Sequence, residues 1–298
     1  MRLVKKIYFK VKRKIINFLI KRLTFLYRPS SEPYISGDTF RKISDHIYDE
    51  SKTFLPDKVK TNDIIFLQTD LFEEFFKKIN SNINAKYILI SHNSDNEASN
   101  KELSMIDDKI LFWFAQNLNV QNGSKHCLIP IGLENLRYQT NGVLKDFDIE
   151  LPEVKKSKIA ASFNVSTNVE VRSKLKQIIE SNTNVESVDE DNHRDYILNL
   201  RNFMFNLCPV GNGFDTHRIW ESLLVKTIPI MVDSEFTRNL ASLNFPILVL
   251  DSWENLNKLN SDDLKSIYIK ESEKKQFDEV MKLKYWKKII NSKKIKLS

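Results

Sequence analysis

From residue 33 onward, short runs of β-branched and aromatic residues alternate with segments whose apolar residues recur at steps of three and four. No other feature limits the fold as much. Apolar runs of strand length suit a parallel sheet covered on both faces, and a parallel pair needs the long crossover that a helix supplies. Strand candidates in the first half are PYIS (33–36), DIIFLQ (63–68), KYILIS (86–91), ILFWFA (110–115) and HCLIP (126–130). Helical patterns fall at 39–50, where Phe40, Ile43 and Ile47 share a face, and at LFEEFFKKI (71–79). Periodicity fades from about 136 to 157, where Gly142, Pro152 and mixed charge mark a linker. It resumes with KIAASF (158–163), NVESV (184–188), NFMFNL (202–207), TIPIMV (227–232) and PILVL (246–250). The expectation is two α/β halves in tandem, residues 29–150 and 151–270. Residues 271–298 end the chain with helical spacing through Phe277, Met281 and Tyr285, in a helix that either crosses the junction between the halves or packs on the second alone.

The net charge of +7 is unevenly spread. Residues 1–28 hold ten Lys or Arg and no acid, which leaves 36 basic and 39 acidic side chains on the rest of the chain. A body without excess positive charge argues against a nucleic-acid groove. Within the first 28 residues Leu3, Ile7, Val11, Ile15 and Phe18 form one apolar helix face. The apolar stretches are too short for a bilayer span or the core of a secretory signal. The pattern predicts a basic amphipathic helix on an anionic membrane surface, each cation contributing about 1 kcal/mol near lipid; the plainer reading is a helix docked on the body. Seven lysines against Glu279 from residue 279 onward add a second cationic end. Cys127 and Cys208 form no C-x-x-C pair and are too few for a disulfide framework, so a reducing compartment fits.

The chemistry concentrates in FMFNLCPVGNGFDTHRIWESLLVKTIPIMVDS (203–234), which reads as strand, glycine loop, helix and strand. Ligands of parallel sheets sit beyond the carboxyl ends of the strands, where this loop belongs. Gly211 and Gly213, flanking Asn212, allow close backbone approach, and Asp215 suits an N-cap for a helix starting near Thr216. Ile219, Trp220, Leu223 and Leu224 share one helix face; His217, Arg218 and Glu221 share the other. A helix N-terminus attracts phosphate, Arg218 offers a bidentate guanidinium, and Glu221, one turn deeper, can accept bonds from vicinal hydroxyls such as those of a ribose. Each feature has a plainer reading: a tight turn, a helix-end His217, and an Arg218–Glu221 i,i+3 pair worth about 0.2–0.5 kcal/mol. Their coincidence in one loop favours a nucleotide-diphosphate site.

The run C-P-x-G-N-G-x-D-T-H-R-x-W-E-x-L, followed by I-P-I, resembles the nucleotide-sugar signature of exostosin-type glycosyltransferases and their bacterial relatives in surface-polysaccharide synthesis. Similar stretches at SGDTFR (36–41), HNSD (92–95), FAQN (114–117), PIGLEN (130–135) and FNVSTNVEVR (163–172) extend the resemblance over most of residues 34–253. Val210 replaces an Arg frequent in relatives, and Lys226 a usual Gly, departures that bear on which donor is bound. The resemblance implies a GT-B-like α/β architecture, two Rossmann-like domains facing a cleft, with acceptor on the first and donor on the second. It also implies inversion at the transferred sugar.

In the second domain Thr167, Asn168 and Arg172 follow KIAASF, and Arg172 either reaches the diphosphate opposite Arg218 or is a solvated helix residue. Base candidates in the first domain are Asp38, His92 and Asp95, with Asp38 favoured; the alternatives are an N-cap for Asp38 and a turn-stabilising role for Asp95. Asp189-Glu190-Asp191 fits the literal D-x-D pattern of metal-dependent transferases but sits in a polar stretch read as a loop, and neither H-E-x-x-H, a P-loop nor a full G-x-G-x-x-G occurs. No metal and no cofactor are expected. The functional expectation is an inverting, metal-independent glycosyltransferase, cytoplasmic and peripheral at the inner face of the membrane. It would move a sugar from a nucleotide-diphosphate donor to a hydroxyl of a glycan or lipid-linked glycan of capsule or lipopolysaccharide type. The alternative is a non-catalytic, membrane-associated nucleotide-binding or scaffolding protein of the same fold.

Overall fold

The computed structural model describes residues 28–51, 54–188 and 190–296. The basic segment 1–27 and Asp189 lie outside them, so the expected amphipathic start carries no structural account. Among the described residues, ten strands form two five-stranded sheets in which every pairing is parallel. The first runs in sequence order through β1 (His46–Tyr48), β2 (Ile64–Gln68), β3 (Tyr87–His92), β4 (Ile110–Ala115) and β5 (His126–Leu128). The second contains β6 (Lys156–Ala161), β7 (Val185–Ser187), β8 (Phe203–Leu207), β9 (Ile228–Val232) and β10 (Leu248–Leu250), in the order β10-β9-β8-β6-β7. All six residues of β3 are buried, because a central parallel strand is covered on both faces. Its apolar residues Tyr87, Ile88, Leu89 and Ile90 therefore run without alternation.

Two sequence expectations fail in the first half. PYIS is not a strand: Tyr34 and Ser36 make only isolated bridges, to Lys282 and Leu133. The helix read over 39–50 ends early, as α1 (Gly37–Ile43), and Ile47 belongs to β1, where it pairs with Phe66. Ser44 turns the backbone to an extended conformation at ψ 143°, so an apolar residue four positions after Ile43 joins a sheet edge instead of the helix face. Ser36 caps α1, its hydroxyl accepting the Thr39 N–H at 3.2 Å; the capping alternative for Asp38 is thereby corrected.

The end of the chain is two helices. Following α2 (Phe72–Lys78), α3 (Asn100–Leu103), α4 (Val169–Ile179), α5 (His193–Leu200), α6 (His217–Leu224), α7 (Glu235–Ser242) and α8 (Ser261–Ser272), the chain closes with α9 (Gln276–Glu279) and α10 (Leu283–Asn291). Between α9 and α10 the Met281 carbonyl accepts the Ile35 N–H at 3.0 Å, and the Leu283 N–H reaches the Pro33 carbonyl at 2.8 Å. Trp286, 1% exposed, lies edge-on to Phe40 of α1 and to Phe245 after α7. Its indole thus packs against both halves, and full burial of such a side chain contributes on the order of 1.5–3 kcal/mol. No helix among the described residues is long and apolar enough to cross a membrane.

Candidate functional site

The loop leaving β8 turns tightly, with the Gly211 N–H donating to the Gly213 carbonyl at 3.1 Å. A Cβ on Gly213 would stand 2.8 Å from Asn117 Nδ2 and 3.1 Å from the Asp95 carbonyl oxygen. Only a glycine lets this loop of the second sheet approach the loops after β3 and β4 so closely. Asp215 completes the junction. Its N–H donates to Asn117 Oδ1 at 2.7 Å, its Oδ2 accepts the Ile131 N–H at 2.6 Å, and its Oδ1 accepts Trp220 Nε1–H at 2.5 Å. Burial pushes this carboxyl up to about 7, against the pull of the Trp220 and Ile131 donors. The expected N-cap role of Asp215 is corrected: Thr216 holds the cap position of α6 and no side chain caps the helix.

Around that uncapped start lie two guanidinium groups. Arg172, on α4, is 4% exposed and donates to the carbonyls of Asn164, Pro209 and Val210 and to the Thr167 hydroxyl. It is therefore neither solvated nor free: it staples the glycine loop to the loop after β6, and Asn168 adds a bond to the Gly211 carbonyl at 3.2 Å. Burial, then the nearby Arg218 charge, lowers the Arg172 guanidinium to about 10. Arg218 differs. Among the described residues no carboxylate stands within 4.0 Å of it, and its buried Nε has no hydrogen-bond partner, nor has the buried hydroxyl of Thr216. Buried donors without partners are uncommon in folded proteins, and these two lie two residues apart at one helix start.

Glu221 is also on α6 but points elsewhere in chemical terms. It is 6% exposed, and its Oε1 stands 3.2 Å from His193 Nε2, while His193 Nδ1 stands 2.9 Å from Asp146 Oδ2. The surface Arg218–Glu221 pair is absent, and the ribose role expected for Glu221 loses one of its two oxygens to His193. His193 and Asp146 escaped the sequence reading because one lies in a polar run and the other in the linker.

On the first-sheet side the base candidates separate. Asp38 is 1% exposed and ion-paired, 3.5 Å from Arg28 and 3.2 Å from Arg137, with its N–H on Asn135 Oδ1. Burial raises its pKa against the pull of Arg137 and Arg28, and the favoured candidate Asp38 thus lies buried between two arginines rather than in the wall of the cleft. His92 is fully buried: Nε2–H donates to the Pro130 carbonyl at 3.0 Å and Nδ1 accepts the Asn93 N–H at 2.7 Å. Both nitrogens are used, and burial lowers the imidazole to about 4, so His92 is placed behind the loop rather than at its surface. Asp95 is exposed, accepts a bond from Asn212 of the glycine loop at 3.2 Å, and lines a cleft of about 420 Å³. Asp70, Asn93, Asn96, Tyr138 and His217 share that cleft. His217 Nδ1–H is anchored on the Gly132 carbonyl at 2.8 Å. A second cavity of about 270 Å³ lies beside the carboxyl ends of β8 and β9, with Val171, Cys208, Phe214, Met231, Phe236 and Trp253 in its wall.

No protein-family model matches the chain, and no curated protein does either. Among solved structures the crystal structure of TarM aligns with 12% identity and a TM-score of 0.37, over 76% of this chain and 54% of TarM. The chain thus spans about half of that protein's length.

His92 yields a prediction on stability. Because burial lowers its folded pKa to about 4, below the ordinary imidazole value of 6.5, the unfolded chain takes up a proton that the folded chain refuses as pH falls through that window. The His92 contribution is therefore present above pH 6.5 and lost on the way to 4. Urea midpoints at pH 7 and pH 5 should fall less in His92→Gln than in the parent, a comparison that isolates this group from Asp215; equal falls contradict the assignment.

Proposed function

We propose that the protein is an inverting glycosyltransferase of GT-B type, binding the diphosphate of a nucleotide-sugar donor at the start of α6. The observation that carries this reading is Arg218, a partly buried guanidinium with an unpartnered Nε, placed beside Arg172 and an uncapped helix N-terminus. Two positive side chains and a helix dipole, with no carboxylate paired to either guanidinium among the described residues, suit a group of two phosphates. The mostly apolar cavity bounded by Phe214, Phe236 and Trp253 suits the base of the nucleotide, and the polar cleft beside Asp95, Asn96 and Tyr138 suits a hydroxyl-rich acceptor.

In this reading an acceptor oxygen attacks the anomeric carbon from the cleft side as the bond to the diphosphate breaks on the opposite side. Asp95 takes the acceptor proton, because it alone of the three carboxylate and imidazole candidates is exposed to the cleft. Arg218 and the α6 N-terminus hold the negative charge that develops on the leaving diphosphate. Arg172 acts one step back, fixing the loop that carries Pro209 and Val210. His217, anchored through Nδ1, presents its other nitrogen to the same region. Inversion and the surface-glycan acceptor rest on the resemblance to exostosin-type enzymes.

One pair of variants separates binding from chemistry. Arg218→Ala should weaken binding of a nucleoside diphosphate by roughly 1.5–3 kcal/mol, read by titration calorimetry against UDP, GDP and CDP. Asp95→Asn should keep that affinity and lower transfer to acceptor by about 10²–10⁴. Unchanged affinity in Arg218→Ala removes the donor site, and tight diphosphate binding without any transfer leaves the non-catalytic alternative.

The reading also places the chain on an anionic membrane. Ten cations precede residue 29, and Lys284, Lys287, Lys288 and Lys294 are exposed on or just after α10. Full-length protein should sediment with phosphatidylglycerol vesicles and release at raised salt, while a chain lacking residues 1–27 should stay in the supernatant. Sedimentation of the shortened chain assigns the contact to α10 instead.

A further inference from the structure

Arg218 and Glu221 stand three residues apart on α6, a spacing at which opposite charges ordinarily meet. They do not meet here. Glu221 Oε1 is 3.2 Å from His193 Nε2, and the ring's other nitrogen is 2.9 Å from Asp146 Oδ2. With Glu221 and Asp146 both ionised neither can donate, so the ring nitrogens that meet them do the donating and His193 takes the imidazolium form. Phe147 and Tyr196 pack their rings at 5.5 and 6.0 Å from it, closing the group off from water. The carboxylates of Glu221 and Asp146 outweigh the cost of burial and raise the His193 pKa above its ordinary value. The same contacts, with His217 and Arg218 behind them, hold Glu221 below the carboxylate range despite its burial.

We infer that His193 is a positioning residue for the anion site: by holding Glu221 it keeps that carboxylate off Arg218 and leaves the guanidinium uncompensated for a diphosphate. This rests on the reading of Arg218 as the diphosphate ligand. A buried carboxylate seeks a cation, and the charges of two act on Glu221, that of His193 at the start of α5 on one side and that of Arg218 on α6 on the other. Whichever cation Glu221 takes is lost to a ligand. Asp146 makes the choice one-sided, because its carboxylate holds the proton on His193 Nδ1 and leaves Nε2–H directed at Glu221. Asp146 comes from the short turn Leu144–Asp146 between the two sheets, and Arg194 Nη1 holds the same turn at the Lys145 carbonyl, 2.5 Å away. The segment joining the halves therefore sets the charge state of the donor helix.

The test is a double-mutant cycle read by calorimetric affinity for whichever of UDP, GDP or CDP binds the parent protein. His193→Gln should weaken binding about tenfold, the scale of one charge-assisted hydrogen bond lost, because Glu221 turns to Arg218. Adding Glu221→Gln to His193→Gln should restore affinity to within about threefold of the parent, a rescue that damage to packing would not show. An unrescued loss makes His193 structural and overturns the inference. Parental affinity in His193→Gln, with binding still lost in Arg218→Ala, overturns it while the donor site stands. Parental affinity in Arg218→Ala overturns the donor site itself. Should His193→Gln fail to fold, ¹⁵N NMR of the parent protein decides: both His193 nitrogens protonated at pH 7 supports the inference, and a neutral tautomer refutes it.

Discussion

Asp215 joins the two sheets, and the placement of every group proposed to meet the donor depends on that junction. Its carboxyl binds Ile131 after β5 and the Trp220 indole on α6, while its own N–H binds Asn117 after β4. Two hydrogen bonds satisfy a buried carboxyl that would otherwise cost several kcal/mol to desolvate, and the third satisfies the backbone N–H. They also fix α6 in rotation, since Trp220 is one of its core-facing residues. With Ile219, Trp220 and Leu223 buried, Arg218 has to emerge at the start of the helix between the sheets. An Asp at this position therefore serves architecture, and it leaves the N–H groups at the start of α6 without a side-chain cap.

The same economy of polar groups explains the division among candidate bases. Loops at the carboxyl ends of β2, β3 and β5 converge with α1, and most of their polar atoms are spent on each other. Asp38 holds two arginines, and His92 bridges its own loop to Pro130. What remains accessible is the rim, where Asp95 and Asp70 meet the cleft. Proximity to the strand ends was a sound guide to the neighbourhood but not to exposure.

Much of the fold was legible in the sequence because parallel strands are apolar throughout. ILFWFA coincides with β4, and the reading of the second half matches β8 and β9 within a residue. Short edge elements were not, since β1 offers only His46, Ile47 and Tyr48 and its identity comes from pairing with β2. At the site, the glycine loop and Arg218 stand out because one stretch of chain brings their chemistry together, while Arg172 is read from the separate segment after KIAASF. The roles of Asp215 and Glu221 did not, as their partners Ile131 and His193 lie 84 and 28 residues away. His193 has no local signal: it follows a run of acidic and amide residues and opens a helix, as surface histidines commonly do.

The central claim is that a diphosphate occupies the space between the start of α6 and the Arg172 staple. A crystal structure of the protein with a nucleoside diphosphate tests it most directly. The account predicts phosphate oxygens within hydrogen-bond distance of Arg218 and of the first N–H groups of α6, with the base in the cavity walled by Phe214 and Trp253. A diphosphate bound instead in the cleft beside Asp70 and Tyr138, with Arg218 left without an anion, would contradict it.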